Sequence, residues 1–348
     1  MFGAGGALDF RATDAGVARW MMRFVAASSA TRFAAGKKAL SALIAGAPSA
    51  WRSLTADIGR PRLYSEQGHI VVWETERSAR ESRENWSRAD TGIATFRHLE
   101  QRELDALDHQ LKRPLAGGIR FEKTGQIVDP PLLFQTLHDR FAQAGGRWVR
   151  QSVTSLIKEG HHAHALFANG ERAQAGLIVV CAGVRSKVLM RDAGHEVPLI
   201  AERGYHLQVP GAQANGWWPD LPPVVFEDRS MIVTRFAQSL RACSFVEFAD
   251  VSSPPDPRKW ERLTKHVNEL GLPFGDSPNR WMGARPTLPD YLPAIGRSRR
   301  ASNLLYAFGH QHLGLTLGPV TAEAVAALAT GVAPRIPLEP FDVERFTQ

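Results

Sequence analysis

Residues 304–328 read LLYAFGHQHLGLTLGPVTAEAVAAL, and the fold turns on how this stretch is read. Five apolar residues suit a strand, Gly309, Gly314 and Gly318 punctuate a turn, and the remainder carries apolar residues at helical spacing. Strand, glycine turn and helix in that order make half of a βα unit. Glycines permit positive φ and close approach to the main chain. The helix mouth behind them offers unpaired N–H groups and the positive end of a dipole. Such a mouth suits an anion, whether a phosphate or an electron-rich ring carbonyl. The plain alternative is an ordinary βα connection with three turn glycines. His310 and His312 flank Gln311, but no third ligand stands at metal-binding spacing.

Working outward, LIVVCAG (177–183) is an all-apolar run that suits a parallel strand buried on both faces. It ends in Ala182-Gly183, where a ligand can reach the main chain. Upstream, GGIRFEKTGQIVDP (117–130) is strand-like and closes on Asp129-Pro130, a good N-cap and first helical residue. A helix should run from there to the stop at Gly145-Gly146. RWVRQSVTSLIKEG (147–160) and HHAHALFANG (161–170) alternate like a hairpin, with solvated histidines at its turn. Between Pro198 and Asp250, strand patterns follow one another without helix, as in an antiparallel sheet, and a helix at 255–270 follows. In GARPTLPDYLPAIG (283–296), Pro286 holds Arg285 in extended backbone. Its guanidinium suits either a ligand carboxylate or a structural acidic neighbour. The first sixty residues are mostly helical in pattern, and GHIVVWETE (68–76) reads as a strand.

The chain has 348 residues, 44% hydrophobic and 22% charged, which is ordinary for a globular protein. Its net charge of +7 is scattered, with no nucleic-acid motif, and excludes nucleic-acid binding from the expected functions. No run of about 18 apolar residues leads us to expect a membrane span. The start lacks the pattern of a secretory signal. Cys181 and Cys243 read as buried thiols, which points to the cytoplasm. WMMRF (20–24) suits a helix packed on the body, and also permits a peripheral contact with the inner face of a membrane. Gly3-Ala4-Gly5-Gly6 imitates part of a dinucleotide fingerprint, but no strand can precede it.

Taken in order, these segments resemble the superfamily of FAD-dependent glycine oxidases, D-amino-acid oxidases and D-amino-acid dehydrogenases. The resemblance covers about Pro114 to the C-terminus. It implies an α+β and α/β architecture: an incomplete Rossmann-like FAD-binding domain interleaved with an antiparallel-sheet substrate domain. The implied division is a helical segment at 1–60, a substrate domain at 61–125 and 193–295, and the remaining FAD-binding part at 126–192 and 296–340. Val153, Ala182, Gly183, Gly309, His310, Leu313, Gly314, Leu315 and Thr316 are the implied FAD-binding positions. Arg285 is the implied carboxylate clamp, with Tyr205 and His206 lining the same pocket. The implied reaction oxidises the C–N bond of a D-amino or imino acid by hydride transfer, with no acid–base residue and no metal. A quinone or respiratory carrier is expected ahead of oxygen as acceptor. Family members begin with a strand, a GxGxxG turn and a helix that hold the pyrophosphate. This sequence contains no GxGxxG, so a truncated chain is expected. A non-catalytic remnant unable to hold FAD is the competing reading; a nicotinamide-dependent dehydrogenase is a third.

Overall fold

Proline, aspartate and glycine set many of the element boundaries in the computed structural model, which describes residues 8–10, 15–211, 217 and 220–347. The Gly3–Gly6 segment lies outside the described residues. β1 (Leu8–Phe10), α1 (Ala15–Ala27) and α2 (Ala30–Asp57) come first. β2 (Tyr64–Ser65), β3 (His69–Trp73), α3 (Glu76–Arg88), β4 (Thr95–His98), α4 (Gln101–Asp108) and β5 (Gly117–Glu122) follow. Next stand β6 (Gln126–Ile127), α5 (Pro130–Gln143), β7 (Val153–Glu159), β8 (His162–Phe167), β9 (Arg172–Ala173), β10 (Ile178–Val180) and α6 (Ser186–Asp192). β11 (Ile200–Pro210), β12 (Val224–Phe226), β13 (Met231–Phe236), β14 (Ser239–Ala249), α7 (Pro257–Leu270) and β15 (Asn279–Thr287) form the long central stretch. β16 (Ala294–Arg297), β17 (Leu304–Phe308) and α8 (Gly314–Thr330) complete the series.

The cap expected at Asp129 is present. Asp129 accepts a bond from Leu132 N at 3.1 Å and opens α5. Asp256 caps α7, which Gly271 closes at φ +76°. The large sheet runs β15-β11-β14-β13-β12-β3-β5-β4, with β1 added parallel to β14. One face carries Tyr205, Leu207, Val224, Phe226 and Val233 and is buried against Leu263, Val267 and Leu270 of α7. At the edge of this core lies a fully buried ion pair, Arg203 with Glu247 at 2.6 Å. Lys259 meets Asp9 of β1 at 2.9 Å nearby.

The second sheet is small: β10 and β17 are parallel, and β16 is antiparallel to β17. α8 follows β17 and packs through Leu317, Val320 and Ala324 on Leu43 and Ala47 of α2. Residues Gln311–Thr330 are long and apolar enough to cross a membrane, with mean hydropathy 1.4, contrary to the expectation from the sequence. In this fold that stretch packs on α2 and borders β15.

Three sequence readings need correction. β10 is parallel but stands at the edge of its sheet, with Val179 39% exposed, because no described residue pairs with its far side. Cys181 is accordingly exposed and free, and Cys243 is part-buried and free. Residues 147–152 are not strand, and Trp148 is 58% exposed; alternation alone does not make a strand where no neighbour offers a ladder.

Candidate active site

Strand alternation builds the site. In β11, Glu202, Gly204 and His206 point to one face, opposite Arg285, Gly283 and Trp281 of β15. On β14, Cys243 and Arg241 lie opposite His206 and Gln208 and so share that face. Unlike the face packed on α7, it is only part-buried at His206, Gln208, Ile232, Thr234, Arg241 and Cys243.

Glycines let the large side chains lie flat. A Cβ on Gly204 would stand 2.6 Å from Nη1 of Arg285, so the guanidinium lies directly over the main chain. The Trp281 ring covers Gly283 in the same manner and stacks on His206 at 4.9 Å. Burial, and then Arg241, lower the pKa of His206 to about 4, so it is neutral at pH 7.

Arg285 is not the free fork expected from the sequence. Its Nη1 donates to Phe245 O at 3.3 Å and sits 3.5 Å from Oε1 of Glu202. Glu202 is 2% exposed, and its Oε2 accepts from Thr287 at 3.1 Å and from Tyr291 OH at 3.4 Å. Desolvation, with Glu202 beside it, pushes the Tyr291 phenol well above its usual range, which keeps it a donor.

The glycine turn meets this cluster. A bridge between Thr287 and His310 brings the end of β15 beside Gly309, which has φ +83°. The turn Gln311–Leu313 and the turn Gly183–Arg185 both pack on β15. The Gln311 side-chain amide donates to the Tyr291 carbonyl. His310 bonds Thr321 of α8 at 3.0 Å, and burial lowers its pKa to about 4. Burial also lowers that of His312, against the pull of Glu202. Phe245, Tyr291 and Gln311 have φ of +72°, +59° and +51°, so three of the non-glycine residues in left-handed backbone converge on Arg285. Rare backbone of this kind collects at functional sites.

Arg285, His206, Gly183, His310 with Gly309 beside it, and Leu313 are therefore gathered on or against β15; Ala182 adjoins the Gly183–Arg185 turn in sequence and Gly314–Thr316 continue the Gln311–Leu313 turn into α8. Tyr205 is not among them. It points to the opposite face, fully buried, donating to Glu247 at 2.7 Å and accepting from Asp256 N at 3.0 Å. Adjacent strand residues cannot line one face, and pairing Tyr205 with His206 ignored this. Val153 stands 38% exposed at the start of β7, in a separate three-stranded sheet. Glu202, Thr287, Tyr291, Trp281 and Gln311 were missed. Alternation around Gly204 would have found Glu202; Tyr291 and Gln311 carry no sequence signal, because their backbone is unusual for their type.

The flavin implied by the resemblance has a place here at its ring end. Gly183, at φ +56°, has nothing within 4 Å of where a Cβ would stand, so the space over its main chain is open. Gly314, Leu315 and Thr316 are exposed at the mouth of α8, where first-turn N–H groups have no helical acceptor. Beside the Gly183–Arg185 turn opens a cleft of about 530 Å³, bordered by Trp20, Val184, Lys187 and Ile200. Gly183 and the exposed mouth of α8 fit the ring end of the group; the cleft is lined by neither.

Comparison with known proteins agrees. The model of the DAO family, described as FAD dependent oxidoreductase, matches residues 12–328. A D-amino-acid oxidase of Bradyrhizobium diazoefficiens is 31% identical over 317 residues, covering 88% of this chain and 73% of that protein. A D-amino acid dehydrogenase of Neisseria gonorrhoeae is 22% identical over 94% of this chain and 78% of its own length. Glycine oxidase from Geobacillus kaustophilus superposes with TM-score 0.74 at 19% identity, covering 88% of this chain and 83% of its own. Iminodiacetate oxidase from Chelativorans sp. BNC1 superposes with TM-score 0.71 at 22% identity, covering 86% and 83%. With an arginine-bearing strand seated against a glycine-turn helix mouth, the chain belongs to the DAO family of FAD-dependent oxidoreductases.

Proposed function

We propose that this chain oxidises the C–N bond of a small D-amino or imino acid. The observation that carries the reading is the junction of β15 with the glycine turn, where Thr287 bridges His310 two residues beyond Arg285. Bound FAD supplies the acceptor for the hydride that leaves the substrate carbon. The protein's part is placement. Arg285 meets the substrate carboxylate with the donors that Glu202 and Phe245 leave over. Glu202 fixes the arginine's orientation, and Trp281 on His206 provides an apolar wall. Gly183, Gly309, His310 and the N–H groups of 314–316 face the ring end of the cofactor, where the dipole of α8 favours negative charge; the Leu313 N–H is taken up by His310 O at 2.8 Å. In this proposal the large sheet carries the substrate and the small sheet carries the cofactor. The proposal includes a carrier such as a quinone as acceptor, and a cytoplasmic protein touching the inner membrane face. Met22, Val25 and Phe33 project into solvent at 64–68% exposure among Arg19, Arg32 and Lys37, which suits that contact.

The competing reading is a retained fold without a retained cofactor. It is favoured by the edge position of β10, whose far side no described strand pairs. A visible spectrum of the chain after FAD is supplied separates the two. A flavin band that bleaches anaerobically with a D-amino acid supports the enzyme; a folded, colourless protein sinks it. In the flavin-loaded chain, Arg285→Lys should raise KM for the amino acid about tenfold, since an ammonium lacks the planar fork. Unchanged kinetics would remove Arg285 from the site.

A further inference from the structure

Two guanidiniums occupy the open face of the sheet, and their surroundings differ. Arg285 has Glu202 at 3.5 Å. Arg203 and Arg229 likewise face carboxylates, Glu247 and the Glu74–Glu269 pair, each at 2.6 Å. Arg241 has none. Its Nε and Nη2 both donate to one neutral oxygen, Oε1 of Gln208, at 2.9 and 2.7 Å. Its guanidinium lies 4.9 Å from the Phe236 ring centre, and no ion pair joins it to an acid among the described residues. Desolvation pushes its pKa down. A part-buried cation without a counter-charge is costly to fold around, and an anionic ligand is the group that would offset it.

The position suits a ligand that also reaches Arg285. Arg241 precedes Cys243 by one alternation of β14, and Arg285 and Arg241 both lie near enough to the Cys243 thiol to favour its charged form against burial. A small molecule lying over His206 and Cys243 therefore has Arg285 and Arg241 on the same face of the sheet.

We propose that Arg241 is a second anion anchor of this site, holding an acidic group at the far end of the substrate, so that the pocket prefers amino or imino acids bearing a second carboxylate. This rests on the reading of Arg285 as the carboxylate site. At Arg285 the local charge is balanced by Glu202, so the uncompensated positive charge of the face sits at Arg241.

Calorimetric titration of the purified full chain with propionate and with glutarate tests it. Wild type should bind glutarate about tenfold more tightly than propionate, the scale of one added charge contact at a part-screened site. Arg241→Gln should abolish that preference and leave propionate within about twofold, as for a site remote from the first contact. Arg241→Lys should keep part of the preference. Arg241→Met, which retains the stem over Phe236, reads the same if Gln disturbs the sheet. An intact glutarate preference in the Gln or Met variant, or an equal loss for both ligands, overturns the inference while Arg285 stands. Wild type that binds propionate without preferring glutarate also overturns it. Wild type that binds neither acid removes the reading of Arg285, and this one with it.

Discussion

Gly204→Ala should separate folding from function. The backbone of Gly204 has no positive φ, and alanine is acceptable in a strand, so the main chain has no reason to object. The new Cβ would stand 2.6 Å from Nη1 of Arg285 and nearer still to Nη2. Ordinary contact begins near 3.4 Å, so the guanidinium must withdraw by about 1.4 Å at its nearest atom. The moving atoms are the far end of a flexible side chain that is 23% exposed, which makes the move cheap for stability. It is expensive for the site. Nη1 already holds Phe245 O at 3.3 Å and Glu202 at 3.5 Å, and such a shift breaks both distances. A misplacement of about 1 Å in a positioning group costs up to a hundredfold in rate. We expect kcat/KM for a D-amino acid, followed by dye reduction in the flavin-loaded chain, to fall 10- to 100-fold. The unfolding free energy should change by less than about 1 kcal/mol. Unaltered turnover would mean that Arg285 does not act from where it lies. A loss of about 3 kcal/mol or more in stability would mean that the sheet, not the arginine, resists the methyl.

Leu43→Ala, at a fully buried contact between α2 and α8, should cost about 2–5 kcal/mol in urea unfolding, the usual range for a core cavity. Glu247→Gln leaves the Arg203 guanidinium buried without its carboxylate and should cost about 3–5 kcal/mol by the same measurement. His310 has its folded pKa lowered to about 4, so the unfolded chain binds that proton more readily. Its contribution is intact above about pH 6.5 and is lost as pH falls toward 4, amounting to about 1–2 kcal/mol at pH 5. His310→Asn should therefore flatten the decline in the urea midpoint between pH 7 and pH 5; an unchanged slope would show that His310 is not the group titrating. His206 and His266, also lowered to about 4, and His69, His195 and His312, lowered by burial as well, keep the rest of the slope.

Local signals carried much of the fold. Asp129-Pro130 opens the helix that it should, and the glycine turn at Gly309 sits between a parallel strand and a long helix. These rest on capping and backbone freedom, which neighbouring residues decide. What failed depended on a partner. Residues 147–152 alternate as a strand does but find no ladder, and the all-apolar run at 177–183 became an edge with an exposed valine and cysteine. At the site, Arg285 and the helix mouth were legible because proline and glycines mark them. Glu202 was not, since a carboxylate in a strand reads as a surface residue until the cross-strand register places an arginine over it.

The least legible part of the site is also the most informative about its physics. Phe245, Tyr291 and Gln311 lie in left-handed backbone, a conformation that disfavours any side chain by about 1 kcal/mol or more. A turn needing that backbone is ordinarily filled by glycine. Here each of the three has a side chain or carbonyl committed to the cluster: Phe245 O to Arg285, Tyr291 OH to Glu202, and the Gln311 amide to the Tyr291 carbonyl. These bonds form a line from the turn at the mouth of α8 to the guanidinium. Strain maintained along a connected line is better explained by the position of its last member than by stability, because glycines at 291 and 311 would remove their strain and lose the line. The orientation of Arg285 is thus coupled to the turn at the mouth of α8, and a change at Gln311 should be felt at Arg285.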